Sequence, residues 1–264
     1  MFIDPHIHMY SRTTDDYEKM SLAGIQVVIE PSFWLGQERT SSRTLVDYWN
    51  HLINFEKKRA AEYGIKHYCA ISVNPKEANN ETLASEALTV IDEYLEKKSV
   101  VAVGEIGFDS ITNQENKVFT KQLMLAEDKK MPVIIHTPHI DKFQGTKKTF
   151  DTIKECSATE SRIIVDHNDE DTIELSLSHD VIAGITIYPF TKMSITRTIN
   201  MLMKYGTDNI VINSSADWGK SDPLSVPKLA LQMQKDGFSK KETDTLLFHN
   251  PNNFFKQSKN YTLE

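Results

Sequence analysis

The feature that most restricts this chain is an alternation, sustained from end to end, of short β-branched apolar runs with longer stretches of helical periodicity. Eight runs read as strands: "FIDPHIH", "IQVVIEP", "IKHYCAISVNP", "VVAVGEIGFD", "PVIIHTP", "RIIVDHN", "VIAGITIYP" and "NIVINSSAD". Most are nearly continuous in apolar character, as strands covered on both faces of a parallel sheet must be. Between the second and third, Leu45, Trp49, Leu52, Ile53 and Phe55 recur at helical spacing and Gly64 supplies a stop. Further helices are expected in 80–98, 114–130, 145–156, 169–178, 194–205 and 223–236. No linker, low-complexity tract or charge block divides residues 1–264, which read as one domain. Eight βα units in 264 residues point to an α/β fold of the closed (β/α)8 TIM-type barrel kind. A doubly wound open sheet is the alternative, disfavoured because no G-x-G-x-x-G or phosphate-binding loop follows the first run.

Charge and composition exclude several classes of partner. A formal net charge of −7 argues against a broad basic surface for nucleic acid. No apolar run approaches the roughly 20 residues that span a bilayer, so no membrane insertion is expected. The first candidate ligand, His6, leaves no room for a cleavable signal ahead of it, and a cytoplasmic setting is the expectation. Cys69 and Cys156 are the only cysteines, too few and too far apart for a disulfide framework or thiolate metal site, and both read as small buried hydrophobes.

In such barrels the active site lies at the C-terminal ends of the strands. Polar residues collect there: His6 and His8 close the first run, Glu30 the second, Glu105 and Asp109 the fourth, His136 and His139 the fifth, Asp166 and His167 the sixth, and Asp217 the eighth. In an extended segment Asp4, His6 and His8 would share one face. Charged residues and histidines build poor cores, so their repeated placement at one end of the barrel points to a site. Imidazoles from His6, His8, His136 and His167 with carboxylates from Glu105 and Asp217 suit Zn²⁺, Mn²⁺, Fe²⁺, Co²⁺ or Ni²⁺, with Mg²⁺ a further candidate. Six ligands exceed what one catalytic ion takes; one or two ions are expected, two being favoured with Glu105 as the bridge. Ions about 3.5–4 Å apart would share a hydroxide and neutralise charge on a phosphoryl or acyl oxygen. Asp4, Asp109 and Asp166 read as acceptors that orient ligand histidines, or as caps. Glu30 and His139 divide between contacting substrate and facing water, while Phe33, Trp34 and Trp218 either line a pocket or pack. His51, His67 and His179 are expected on the surface.

The segments "DPHIH" at 4–8, "GEIGFD" at 104–109, "PVIIH" at 132–136, "DH" at 166–167, "SSAD" at 214–217 and "NPNNFF" at 250–255 resemble the TatD-like metal-dependent hydrolases of the amidohydrolase superfamily. "GEIGFD" is the most specific, because that family carries a metal-bridging glutamate in G-E-x-G-x-D. The resemblance implies that His6 and His8 hold a first metal, Glu105 bridges, and His136 and His167 complete a second. It gives Asp217 to metal or hydroxide and to proton acceptance, a role the residues alone leave open between Asp217 and Glu105. Three departures accompany it. "SADWG" stands for the family's E-T-D-x-P, with Ser215 replacing the glutamate; "SVNP" at 72–75 stands for G-x-H-P, putting Asn74 where a substrate-side histidine is usual; and "HTPH" replaces H-x-R. These imply a divergent subgroup with a retained cage and an altered pocket. The expected function is hydrolysis by metal-activated water, first of a phosphodiester. The alternatives are an amide, lactone or other carboxyl ester, or a metal-binding barrel without catalysis in a biosynthetic or transport pathway. The expected partner is a small-molecule or phosphodiester substrate.

Overall fold

The computed structural model describes residues 1–263. Eight parallel strands follow one another in chain order: β1 (Phe2–Asp4), β2 (Ile25–Pro31), β3 (Lys66–Ile71), β4 (Val100–Gly107), β5 (Val133–His136), β6 (Ile163–Val165), β7 (Ile182–Thr186) and β8 (Ile210–Asn213). Helices return the chain between them, and the whole is a (β/α)8 barrel. The period-2 pattern of the strands sorts their side chains into two layers. Ile3, Val27, Ile29, Ala70, Ala102, Ile134, Ile164 and Val211 fill the interior. The opposite faces, including Val100, Val103, Val133, Ile135, Ile163 and Val165, meet helix residues such as Leu45, Trp49, Leu52, Ile91, Phe119 and Leu123.

The long helix expected before β3 runs from Ser42 to Ala61 and passes through a π-helical segment, His51–Glu56. Four short helices escaped the sequence reading: Thr14–Leu22, Pro75–Ala78, Lys240–Asp244 and Asn250–Phe255. Thr14–Leu22 buries only Asp16, Tyr17 and Met20, too sparse a stripe to register as periodic. The last, formed by "NPNNFF", closes the bottom of the barrel. Asn250 Nδ2 donates to the carbonyls of Thr207 and Ile210 at 2.8 and 2.7 Å, and Phe254, Phe255 and Tyr261 pack onto the interior layer. Cys69 is buried and Cys156 half-buried. Among the described residues no helix is long and apolar enough to cross a membrane.

The seam between β8 and β1 is closed beyond the strand ends. Ser215 N–H donates to the His6 carbonyl at 2.8 Å, and His8 N–H donates to the Ala216 carbonyl at 2.9 Å. β1 itself stops at Asp4, because Pro5 lacks a donor and Asp4 Oδ1 accepts the His6 N–H at 3.2 Å in a tight turn. The expected strand-face trio therefore breaks up. Asp4 faces away to accept also from Ser214 N–H at 3.3 Å, and burial raises its carboxyl pKa to about 7.

Two residues are relocated by the structure. His67 is buried in β3, not on the surface, and its Nε2 lies 2.8 Å from Oε2 of Glu30. Glu30 in turn sits on the helix-facing side of β2, where Oε1 accepts the Tyr10 N–H at 2.7 Å, so it does not reach the barrel mouth. His51 and His179 are half-buried and pair with Glu56 and Glu160. Removing one partner of a buried pair strands the other, at a cost of about 3–5 kcal/mol, whereas replacing both with apolar residues costs far less. His67→Leu should thus lower unfolding free energy by about that amount in urea titrations. The double variant Glu30→Leu/His67→Leu should recover most of the loss; equal losses in the two variants would show that the pair is not the source.

Candidate metal centre

Four imidazoles and one carboxylate converge at the C-terminal mouth. Oε1 of Glu105, from β4, lies 3.2 Å from His6 Nε2, 3.4 Å from His136 Nδ1 and 3.4 Å from His167 Nε2. His8 Nε2 is 3.1 Å from His6 Nε2 on the far side. Ligand atoms of His6, Glu105 and His167 all fall within 4.8 Å of one another, and these three side chains are buried. Oε2 of Glu105 accepts from Asn74 Nδ2 at 3.0 Å, and Asn74 also caps the helix Pro75–Ala78.

Behind the rings a hydrogen-bond chain sets which nitrogen faces the centre. Asp166, at the end of β6, places Oδ2 2.6 Å from His6 Nδ1, so that nitrogen carries the proton and Nε2 presents its lone pair inward. Asn213 Nδ2 donates to both Asp166 oxygens at 2.9 and 3.0 Å; its own Oδ1 accepts the Thr186 hydroxyl at 2.8 Å. With its hydrogen so used, Thr186 Oγ1 can only accept from His167 Nδ1, 2.6 Å away. His167 Nε2 is thereby left as a free lone pair toward Glu105. Thr186 and Asn213, which the sequence reading missed although both are polar residues at strand ends, thus belong to the hydrogen-bond chain behind the rings. Asp166 has room because residue 184 on β7 is glycine: a Cβ there would lie 2.2 Å from Asp166 Oδ1. His167 holds φ at +64° and Ser215 at +42°, left-handed conformations that only a fixed surrounding keeps in a non-glycine residue.

The electrostatics suit neutral ligands around one carboxylate. Burial depresses His8, and the charge of His6 adds to it, so its pKa lies well below the ordinary value. Burial and then Lys192 do the same to His167. Burial also lowers His6, but Glu105 and Asp166 outweigh it and raise the pKa overall. For Glu105, burial alone would raise the pKa; His6, His136 and His167 overcome it and keep the carboxylate ionised. The donor set fits a divalent cation. Four buried ring nitrogens lack a hydrogen-bond partner among the described residues, and three of them, His8 Nδ1 and both of His136, are at this centre; neutral imidazoles beside an ionised carboxylate are metal-ligand chemistry.

The other expected residues have contacts of their own. Asp217 follows the turn at Ser215, and its Oδ1 accepts from Tyr188 O–H at 2.9 Å and Gly219 N–H at 2.7 Å. The residue of this loop that meets His6 is Ser215. Asp109 pairs with Lys76 at 3.1 Å and touches no ligand histidine. His139 is exposed, its ring centroid 6.3 Å from that of His136. Phe33 stacks on His8 at 3.9 Å between centroids, and Trp218, which is 45% exposed, packs on Phe33 and Trp34 as an apolar lip.

Comparison with known proteins agrees with this architecture. An uncharacterized metal-dependent hydrolase of Methanocaldococcus jannaschii is 29% identical over 262 residues, covering 96% of this chain and 99% of that one. The crystal structure of a TatD-like protein from Archaeoglobus fulgidus superposes with a TM-score of 0.81 at 22% identity, over 97% of this chain and 100% of its own. A phosphotriesterase homology protein from Escherichia coli, complexed with phosphate in its active site, shares the fold at TM-score 0.72 and 16% identity, over 96% and 98% of the two chains. The profile of the TatD-related DNases matches residues 3–235, which include every ligand candidate from His6 to Asp217. The chain therefore belongs to the TatD-related DNase family, and it is a metal-dependent hydrolase.

Proposed function

We propose that this hydrolase binds two divalent ions at Glu105 and cleaves phosphodiester bonds. The observation that carries the reading is the single oxygen, Glu105 Oε1, flanked at 3.2–3.4 Å by rings from three different strand ends. One ion is assigned to His6 and His8 and the other to His136 and His167, with Glu105 between them. Bound divalent ions lower the pKa of water and neutralise charge on a phosphoryl oxygen. The chain's own part is to hold the ligand atoms still. Asp166 keeps the proton of His6 on Nδ1, the Asn213–Thr186 relay does the same for His167, and Asn74 fixes the second oxygen of Glu105. Phe33 shields His8 from water on the side of the apolar lip. Asp217 is assigned a positioning role: its carboxylate fixes Tyr188 and the loop at Gly219.

Elemental analysis of protein purified without chelators and reloaded with Zn²⁺, Mn²⁺ or Ni²⁺ should give about two ions per chain. Absence of metal under every loading would overturn the proposal. Glu105→Gln should remove at least one ion, and an unchanged stoichiometry would exclude it as the bridge. Loss of an orienting partner typically costs 10–100-fold in metal affinity. Asp166→Asn and Thr186→Val should each weaken binding by about that factor in competition with a chromophoric chelator, and Gly184→Ala should act likewise by displacing Asp166. Asp217→Asn should keep its metal and lose less than about tenfold of its turnover of bis(p-nitrophenyl) phosphate. A loss of three orders of magnitude at full metal content would instead make Asp217 the proton acceptor.

A further inference from the structure

Beside the cage, between the β5 and β7 loops, lies a cavity of about 140 Å³ whose lining includes His139, Lys142, His167, Lys192 and Arg197 and one carboxylate, Asp169. It is too small for a whole ligand, since such sites occupy roughly 300–1,000 Å³, and it suits one functional group. Its polar lining is unusual. Lys142 and Lys192 are both half-buried, yet neither forms an ion pair among the described residues. Lys142 Nζ donates to Thr137 Oγ1 at 2.7 Å, and Lys192 Nζ donates to Ser215 Oγ at 3.3 Å while lying 5.2 Å above the Tyr188 ring. Arg197, by contrast, is committed to Glu170 and the Lys192 carbonyl. Asp169 uses Oδ1 on the Thr172 hydroxyl and the Asp171 N–H.

Two ammonium groups partly withdrawn from water without a salt-bridge partner are costly unless something else pairs with them. Burial lowers Lys142 to about 8, and it lowers Lys192 in the same sense. The carboxylates that act on this pair, Glu105, Asp166, Asp169 and Asp217, are already held: by the histidines, by Asn213, by the Thr172 turn and by Tyr188. A divalent ion at Glu105 would make the region more positive still. The missing partner is an anion, and the cavity opens on His167, within reach of a substrate seated at the cage.

We propose that Lys142 and Lys192 form a subsite for an anionic group of the substrate, a phosphoryl or carboxylate group distinct from the bond that is cleaved. The subsite deepens the hydrolase reading, on which it rests for its place in a reaction. It predicts that preferred substrates carry a second negative group one short link away from the scissile centre. Lysine ammoniums act as point charges and impose little geometry, so the subsite selects charge more than shape.

The first test needs no turnover. Inorganic phosphate and acetate are titrated calorimetrically into the metal-free chain and into Lys142→Met and Lys192→Met, with thermal melting as the folding control. Phosphate is expected to bind the wild type, and each substitution to weaken it tenfold or more without lowering the melting temperature, because each removes a charge that has no partner. Tighter binding of phosphate than acetate identifies a phosphoryl group; the reverse identifies a carboxylate. If neither anion binds the wild type, or if binding is unchanged in both variants, the subsite is overturned. Lys142→Arg and Lys192→Arg, which keep the charge, should retain binding; loss there equal to that in the Met variants would also overturn it. The second test uses metal-loaded enzyme and two p-nitrophenyl phosphodiesters of thymidine, one with a 3′-phosphate and one without. The extra phosphate should raise kcat/KM at least tenfold in the wild type and less than threefold in either Met variant. Lysine-dependent phosphate binding with no turnover of any diester would sink the phosphodiesterase reading and leave the subsite standing. Turnover that ignores the extra phosphate and the lysines would do the opposite.

Discussion

The hydrogen bonds of Asp166 govern the rest of the site. A buried imidazole presents a lone pair in a chosen direction only if its other nitrogen is committed to a proton, and Asp166 makes that commitment for two rings at once. It acts directly on His6 at 2.6 Å and, through Asn213 and Thr186, on His167. Four strands are therefore tied together at the mouth: β6 supplies the carboxylate, β7 and β8 the relay, and the segment after β1 the first ring. The carboxylate stays ionised because these donors and the neighbouring histidines oppose the burial that would raise its pKa. Two of the four imidazoles, His6 and His167, are thus set by one network anchored on Asp166, and Glu105 is the second anion that they face.

That network coincides with the barrel's weakest joint. Seven strand pairs are held by ladders, while β8 and β1 meet through bonds made beyond their ends, among them Ser215 to His6 and His8 to Ala216. Ser215 and His167 occupy left-handed backbone conformations at the same level, each costing of order 1–3 kcal/mol. Ligand placement and barrel closure therefore depend on the same few residues. A cation held by His6, His8 and Glu105 would also fasten the seam, and metal loading and closure would then reinforce each other as linked equilibria.

The fold was legible because its signal is repeated eight times and each strand is apolar on both faces; no single run had to be read correctly for the count to emerge. The side chains that gather at the mouth were legible for a related reason, since histidine and glutamate have no packing rationale at the ends of buried strands. What escaped depended on geometry that spacing does not carry. His67 and Glu30 look like ordinary strand-edge polar residues until they are found paired across β2 and β3. The contacts of Asp217 with Tyr188 and Gly219 depend on the loop after β8, where Ser215 holds φ at +42°, and spacing along the chain does not carry that turn. Thr186 and Asn213 were passed over because threonine and asparagine are common in strand-to-loop transitions, and only the direction of their hydrogen bonds gives them a role.

The two walls of the mouth differ in chemistry, and the difference orients whatever lies between them. On the side of the β1, β2 and β8 loops, Phe33 stacks on His8 and carries Trp218 and Trp34 above it, an apolar wall that excludes water from one face of the cage. On the side of the β5 and β7 loops, Lys142 and Lys192 point into a small polar cavity that borders His167. An apolar surface strengthens electrostatic interactions on the opposite wall by keeping the local dielectric low. Under the proposed reading, a substrate with one uncharged, planar end and one anionic end would fit across Glu105 in one direction only. The aromatic lip would take the first and the lysine cavity the second, bringing the bond between them over the carboxylate.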